Sequence, residues 1–111
     1  MSSNVLHMAE ELGKQFSNSE LYQDYCKYKT ELENNPPLME RVAAFKIAQM
    51  ELETRRHQNN EALSFDDEKR ILYQYTELCL NPIVRAFLST EQELLSLYRQ
   101  VMDAICEGWE L

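Results

Sequence analysis

The stretch that decides the fold is residues 82–107, PIVRAFLSTEQELLSLYRQVMDAICE. Its apolar stripe recurs at alternating steps of three and four residues, a spacing that places side chains on one face of an α-helix. Asn81 and Pro82 form a helix break just before this stripe, and Gly108 follows the stripe as a helix end. The pattern predicts a long helix over about 82–107. The stripe consists of Val84, Phe87, Glu91, Leu94, Tyr98, Val101 and Ile105.

A second long helix is predicted over about 37–59. Pro36 and Pro37 cannot continue the preceding helix, and Pro37 suits the first turn of a new one. No breaker follows before Asn59 and Asn60. The main stripe of this helix consists of Leu38, Val42, Phe45, Gln49 and Leu52.

Three shorter helices complete the prediction. The first covers about 4–16, with an apolar stripe of Val5, Met8, Leu12 and Phe16. The second begins at a capping signal, where Ser17 pairs with Glu20 in a capping box and Ser19 is the competing N-cap, and it ends at Asn34 and Asn35. Ser64 opens the helix before Asn81, with acidic residues in its first turn.

These patterns predict an all-α helical bundle in which the helices at about 37–59 and 82–107 run antiparallel. A length of 111 residues is typical of one domain, and 44% of the residues are hydrophobic. We therefore expect a single domain over 1–111 with a modest core. Long helices in so short a chain cannot cover both apolar flanks. We therefore expect a homodimer or a higher even oligomer.

The two long helices echo each other at a shift of 42 residues, both reading L-x3-V-x-A-F-x3-[Q/E]-x-E-L. One interpretation is a shared heptad pattern without further meaning. The other is a local pseudo-two-fold in which Gln49 and Glu91 fix the register, as isolated polar seam residues can.

Composition excludes several function classes. Two glycines in the whole chain exclude Walker-type and dinucleotide-binding loops. A net charge of −8 disfavours direct nucleic-acid binding, which normally needs a basic face. No stretch is apolar over the length of a membrane span, and the N-terminus lacks a secretory leader, so we expect a cytoplasmic protein without membrane insertion.

No catalytic constellation is recognisable, and we expect no enzyme. His7 and His57 have no partner at ligand spacing, and the glutamates fall opposite the apolar stripes. Cys26, Cys79 and Cys106 form neither a disulfide framework nor a CxxC knuckle. We expect no cofactor and no metal site, and keep as an alternative that these three cysteines, from several subunits, jointly ligate an iron–sulfur cluster.

With catalytic and metal sites set aside, the remaining candidate sites are surfaces that contact other protein chains. Aromatic residues are favoured at subunit and helix-in-groove contacts, which makes Tyr22, Tyr73 and Trp109 candidates for a partner surface. The predicted oligomer and packing seam consists of Val42, Phe45, Gln49, Leu52, Val84, Phe87, Glu91, Leu94 and Tyr98.

The order of motifs resembles the YlbF/YmcA family of bacterial regulators, including its YheA-like branch. The resemblance spans nearly the whole chain. The residues that carry it are Ala9-Glu10-Glu11-Leu12-Gly13, Ser19-Glu20-Leu21-Tyr22, Asn35-Pro36-Pro37, Val42 with Phe45 and Gln49, and Asn81-Pro82-Ile83-Val84 with Phe87, Glu91 and Leu94.

The resemblance implies a small helical protein of Gram-positive bacteria that works through protein contacts, in the control of competence, sporulation or biofilm formation. It implies family paralogues and an RNase Y-like nuclease as partners, and a role in RNase Y-dependent mRNA processing. The alternatives are the iron–sulfur or redox-responsive protein described above and a self-associating scaffold with no other partner.

Overall fold

The computed structural model describes residues 2–59 and 64–108, and over these residues the chain forms five α-helices and no β-strand. The all-α prediction is confirmed, and both long helices lie within a residue of their predicted bounds. In chain order the helices are α1 (Ser2–Ser17), α2 (Glu20–Glu33), α3 (Pro36–Asn59), α4 (Phe65–Leu78) and α5 (Pro82–Glu107).

Of the two predicted N-caps of α2, Ser19 is correct. Its hydroxyl oxygen accepts a hydrogen bond from the Tyr22 backbone N–H at 3.2 Å. Ser17 is still helical and ends α1, so the capping box from Ser17 to Glu20 is wrong. Ser17 instead contributes its backbone oxygen, which accepts from the Gln23 side chain at 2.9 Å.

The start of α3, predicted near Pro37, lies one residue earlier, because Pro36 occupies the first helical position. Asn35 is the N-cap: its side-chain oxygen accepts from the Leu38 N–H at 3.4 Å, and its backbone oxygen accepts from Met39 at 2.9 Å. A proline at the first position costs no hydrogen bond, since that N–H has no partner inside the helix.

The other two helix starts are confirmed. The Ser64 hydroxyl oxygen accepts from the Asp67 N–H at 3.1 Å and caps α4. Asn81 caps α5 twice, because its side-chain oxygen accepts from the N–H groups of Ile83 at 2.9 Å and Val84 at 3.2 Å.

The chain divides into two compact units. The first comprises residues 1–29 and 87–111, and its buried side chains among the described residues are Phe87, Leu88 and Thr90. The second comprises residues 30–86, where Leu32, Leu38, Val42, Phe45, Leu52, Leu78 and Val84 are buried. The single domain, the antiparallel pairing of the two long helices and the oligomer stay predictions.

Within the second unit, α3 packs against α4. The rings of Phe45 and Tyr75 lie across this contact with centroids 6.0 Å apart. None of the helices in the described part of the chain is long and apolar enough to cross a lipid bilayer.

Candidate functional site

An aromatic cluster joins the three helices of the first unit. The ring of Phe16 meets Tyr22 edge-on with centroids 6.4 Å apart, and Tyr22 lies 6.4 Å from Tyr25. Tyr25 in turn stacks on Phe87 at 5.3 Å. The cluster ties the end of α1, the middle of α2 and α5 together.

Beside this cluster is an open apolar groove of about 370 Å³. Its walls come from all three helices of the first unit, and Glu91 contributes a carboxylate to otherwise apolar and aromatic surroundings. The lining residues are Phe16, Tyr25, Glu91, Leu94, Leu95 and Tyr98.

Two further apolar stripes of the first unit are exposed. On α1, Val5, Met8 and Leu12 face solvent. On α5, the exposed stripe begins with two residues of the groove, Leu95 and Tyr98, and continues with Met102 and Ile105. Exposed apolar surface that forms a contiguous patch marks an interaction site more often than scattered residues do.

In the second unit, α4 has a buried inner face and an apolar outer face. Leu78 is buried on the α3 side, whereas Phe65, Leu72 and Tyr73 are exposed on the other side. The Tyr73 hydroxyl donates a hydrogen bond to Glu77 at 3.2 Å, which fixes the ring along the helix. We call Phe65, Leu72 and Tyr73 the α4 outer face.

A pocket of about 240 Å³ also lies in the second unit, lined by Arg41, Ala44, Phe45, Gln74, Glu77 and Leu78. The side-chain oxygen of Gln74 is buried there and accepts no hydrogen bond from the described residues. The pocket is small and open, and its lining combines one cation, one carboxylate, one amide and three apolar side chains.

Two cysteines occupy equivalent positions relative to a tyrosine. The Tyr22 hydroxyl donates to the Cys26 sulfur one turn later, and this hydrogen bond raises the pKa of Tyr22. Tyr75 donates to Cys79 in the same way, and this bond together with burial raises the pKa of Tyr75. Both cysteines are half-buried free thiols, and Cys106 is an exposed one.

Over the described residues, no group of three or more His, Cys, Asp or Glu side chains is placed to hold a metal ion. The iron–sulfur cluster ligated jointly by cysteines of several subunits stays a prediction.

The predicted seam residues fall into two sets. Five are buried within the chain and act in its core, namely Val42, Phe45, Leu52, Val84 and Phe87. The other four remain accessible: Glu91 and Leu94 are half-buried in the groove, Tyr98 is exposed beside them, and Gln49 is exposed although it shares the α3 stripe.

The three candidate partner residues are placed differently from one another. Tyr22 is half-buried in the aromatic cluster, and Tyr73 is exposed on the α4 outer face. Trp109 lies outside the described residues. Sequence reasoning missed Phe65 and Leu72, although their spacing of two helical turns places them on one face and could have indicated it.

Comparison with known proteins decides the family. The family profile described as "Control of competence regulator ComK, YlbF/YmcA" matches residues 5–108. The chain belongs to the YlbF/YmcA family. The resemblance noted from the sequence is therefore confirmed, and the family description fits a regulatory role.

Relatives of this YlbF/YmcA family member occur in two Caldicellulosiruptor species. A UPF0342 protein of Caldicellulosiruptor saccharolyticus is 30% identical over 108 residues, which cover 97% of this chain and 89% of the relative. A UPF0342 protein of Caldicellulosiruptor bescii is 27% identical over 107 residues, covering 96% and 89%. No solved structure gives a significant match.

Proposed function

We propose that this YlbF/YmcA family member is a non-enzymatic regulatory adaptor that acts through protein–protein contacts. Its field of action is the control of RNase Y-dependent mRNA processing, competence, sporulation or biofilm formation. Its partners are further copies of itself, family paralogues and an RNase Y-like nuclease.

The observation that carries the proposal is the α4 outer face. A helix that packs on one neighbour normally turns polar residues to solvent. α4 instead exposes Phe65, Leu72 and Tyr73, with Leu72 64% and Phe65 77% accessible. Aromatic and large apolar residues exposed together on one helix favour contact with another protein.

The charge around this face indicates what kind of protein surface it fits. Glu68, Lys69 and Glu77 lie around the apolar residues, so this face carries charges of both signs, and the whole chain carries a net charge of −8. Complementary potentials steer association and exclude wrong partners. We therefore expect the partner to present an apolar patch with a rim that carries both basic residues and an acidic residue opposite Lys69, and we expect binding to weaken as salt is raised.

The test is affinity purification of the tagged chain from its own host, at native expression level and under anaerobic conditions, with mass spectrometry and iron quantification of the eluate. Wild type is compared with Leu72→Glu, which places a charge in the α4 outer face. The matched control is Leu6→Glu, since Leu6 is 63% exposed on α1 and lies away from its apolar stripe.

We expect wild type and Leu6→Glu to recover paralogues or an RNase Y-like nuclease, and Leu72→Glu to lose them. Recovery of the chain alone in all three preparations contradicts the adaptor. Stoichiometric iron in the eluate, lost on replacing Cys26, Cys79 and Cys106 by serine, favours the cluster protein instead.

A further inference from the structure

The pocket between α3 and α4 in the second unit contains a polar atom that no described residue satisfies. The side-chain oxygen of Gln74 is buried there and accepts no hydrogen bond from the described residues. A buried acceptor without a donor costs free energy, because it has lost its hydrogen bonds to water. A molecule that donates an N–H or O–H to this oxygen is therefore favoured over a purely apolar one.

Two opposite charges line the same pocket and are not paired with each other. Arg41 on α3 carries a guanidinium, and Glu77 on α4 carries a carboxylate. The two form no ion pair, and Arg41 forms none with any other residue of the described ranges. Both charges are therefore available to a molecule that lies between them.

The two acceptors of the pocket lie side by side on α4. Gln74 is three residues before Glu77, a spacing that makes their side chains neighbours on the helix surface. The Tyr73 hydroxyl donates a hydrogen bond to Oε1 of Glu77 at 3.2 Å, which orients the carboxylate. One wall of the pocket thus accepts hydrogen bonds, while the guanidinium of Arg41 comes from α3.

The rest of the lining is apolar. Phe45 and Leu78 are 6% and 4% exposed, and Ala44 adds a methyl group. The volume of about 240 Å³ is far more than one water molecule needs, and it lies below the range of about 300–1,000 Å³ that is typical of sites for drug-sized ligands. The pocket therefore suits a small molecule with one apolar group.

We propose that this pocket binds a free α-amino acid with an apolar side chain. The α-carboxylate pairs with the Arg41 guanidinium, whose planar fork of N–H donors matches a carboxylate. The α-ammonium donates hydrogen bonds to the Gln74 side-chain oxygen and to the Glu77 carboxylate. The apolar side chain lies against Phe45 and Leu78.

The charges of the pocket distinguish an apolar amino acid from simpler ligands. An amine is repelled by Arg41 and a carboxylate is repelled by Glu77, whereas a zwitterion is attracted by both. An acidic or basic amino acid brings a further charge against Phe45 and Leu78, where burial of an unpaired charge is costly. The pocket does not depend on partner contacts through the α4 outer face, so this inference can fail while the adaptor stands.

The test is isothermal titration calorimetry of the purified full chain with L-leucine, L-isoleucine, L-methionine and L-phenylalanine. Each is compared with the amine that lacks its α-carboxylate and with the acid that lacks its α-ammonium. For leucine these control ligands are isopentylamine and isocaproate. We expect at least one of the amino acids to bind, and its two control ligands, L-aspartate and L-lysine to bind at least about tenfold more weakly.

Variants of the two charged residues locate the binding. Arg41→Gln and Glu77→Gln are each expected to weaken it about tenfold or more. Both positions are exposed, so we expect both variants to keep the circular dichroism spectrum of the wild type. Arg55→Gln and Glu68→Gln are the matched controls, because they remove the same charges from exposed positions of the same helices outside the pocket. Both controls are expected to bind like the wild type.

Gln74→Met separates a lost site from a lost fold. Methionine fills a similar space and carries no strong acceptor, so it removes the unsatisfied oxygen. We expect this variant to lose binding and, measured without ligand, to unfold at a higher temperature than the wild type.

Three results overturn the inference. The first is that none of the apolar amino acids binds to the wild type. The second is that the matching amine or acid binds as tightly as the amino acid, since the pocket then recognises only one charge. The third is binding that survives unchanged in Arg41→Gln and Glu77→Gln, which places the amino acid elsewhere on the chain.

Discussion

The ring of Tyr25 stacks on the ring of Phe87, with centroids 5.3 Å apart and planes inclined by 24°. The pair joins α2 to α5 within the first unit, and Phe87 is buried. Because Tyr25 also lines the apolar groove, the stack fixes one wall of that groove.

This stack is expected to contribute about 0.5–1.5 kcal/mol beyond the burial of the two side chains. Tyr25→Leu, Phe87→Leu and the double variant form a cycle that isolates the coupling free energy, measured by urea denaturation. Leucine keeps an apolar side chain at each position, so the cycle reports on the contact between the two rings. A coupling free energy near zero contradicts this contact.

Ser64→Ala is expected to lower the free energy of unfolding by about 1 kcal/mol, the usual cost of losing an N-cap. The Asp67 N–H then loses the oxygen that it contacts at 3.1 Å. Ser89→Ala removes an exposed serine from inside α5 and serves as the control. Equal denaturation midpoints for both variants contradict the cap.

The carboxyl group of Asp67 is expected to make stability depend on pH. The hydrogen bond from the Ser64 hydroxyl and the ion pair with Arg70, at 2.6 Å, lower its pKa below the usual 3.8. A carboxyl group whose pKa is lower in the folded than in the unfolded chain stabilises the fold at pH values above the unfolded-state pKa. This contribution is lost as the pH falls through the folded-state pKa. Stability should therefore decrease on acidification below about pH 4.

The control for this pH dependence is Asp66→Asn, which removes the same charge from the same helical turn. Asp67→Asn is expected to flatten the acid limb of the stability curve more than Asp66→Asn does. Identical acid limbs in unfolding experiments at a series of pH values are the result that argues against the Asp67 contacts.

Asn81→Ala is expected to destabilise the chain more than Asn35→Ala. The Asn81 side-chain oxygen accepts hydrogen bonds from two backbone N–H groups, at 2.9 and 3.2 Å. The Asn35 side-chain oxygen accepts one such hydrogen bond, at 3.4 Å. Loss of an N-cap costs about 0.5–2 kcal/mol, and we place Asn81 at the upper end. Thermal unfolding of the two variants side by side gives the order, and the reverse order counts against this reading of the caps.

Helix positions were predictable because the signals are local. Ser64 and Asn81 stand directly before runs of helical periodicity, and capping involves residues two or three positions apart. The wrong N-cap at Ser17 and the one-residue difference at Pro37 arose where two capping residues, or two prolines, stand close together. Which of two such neighbouring residues begins the new helix depends on where the preceding helix ends.

Exposure was not predictable, because it depends on which elements meet. Gln49 and Phe45 share one stripe of α3, yet Phe45 is buried and Gln49 is exposed. Met8 and Leu12 follow the same spacing as buried core residues and face solvent. The periodicity indicates an apolar face and leaves open whether its own chain or another copy covers it.

The proposed regulatory function is tested most directly by mapping transcript 5′ ends in the native host. Strains that lack this chain are compared with strains complemented by wild type, Leu72→Glu or Leu6→Glu. We expect RNase Y-dependent ends to be depleted in the deletion and in Leu72→Glu, and restored by wild type and Leu6→Glu. Unchanged 5′ ends in the deletion strain contradict the proposed role in mRNA processing.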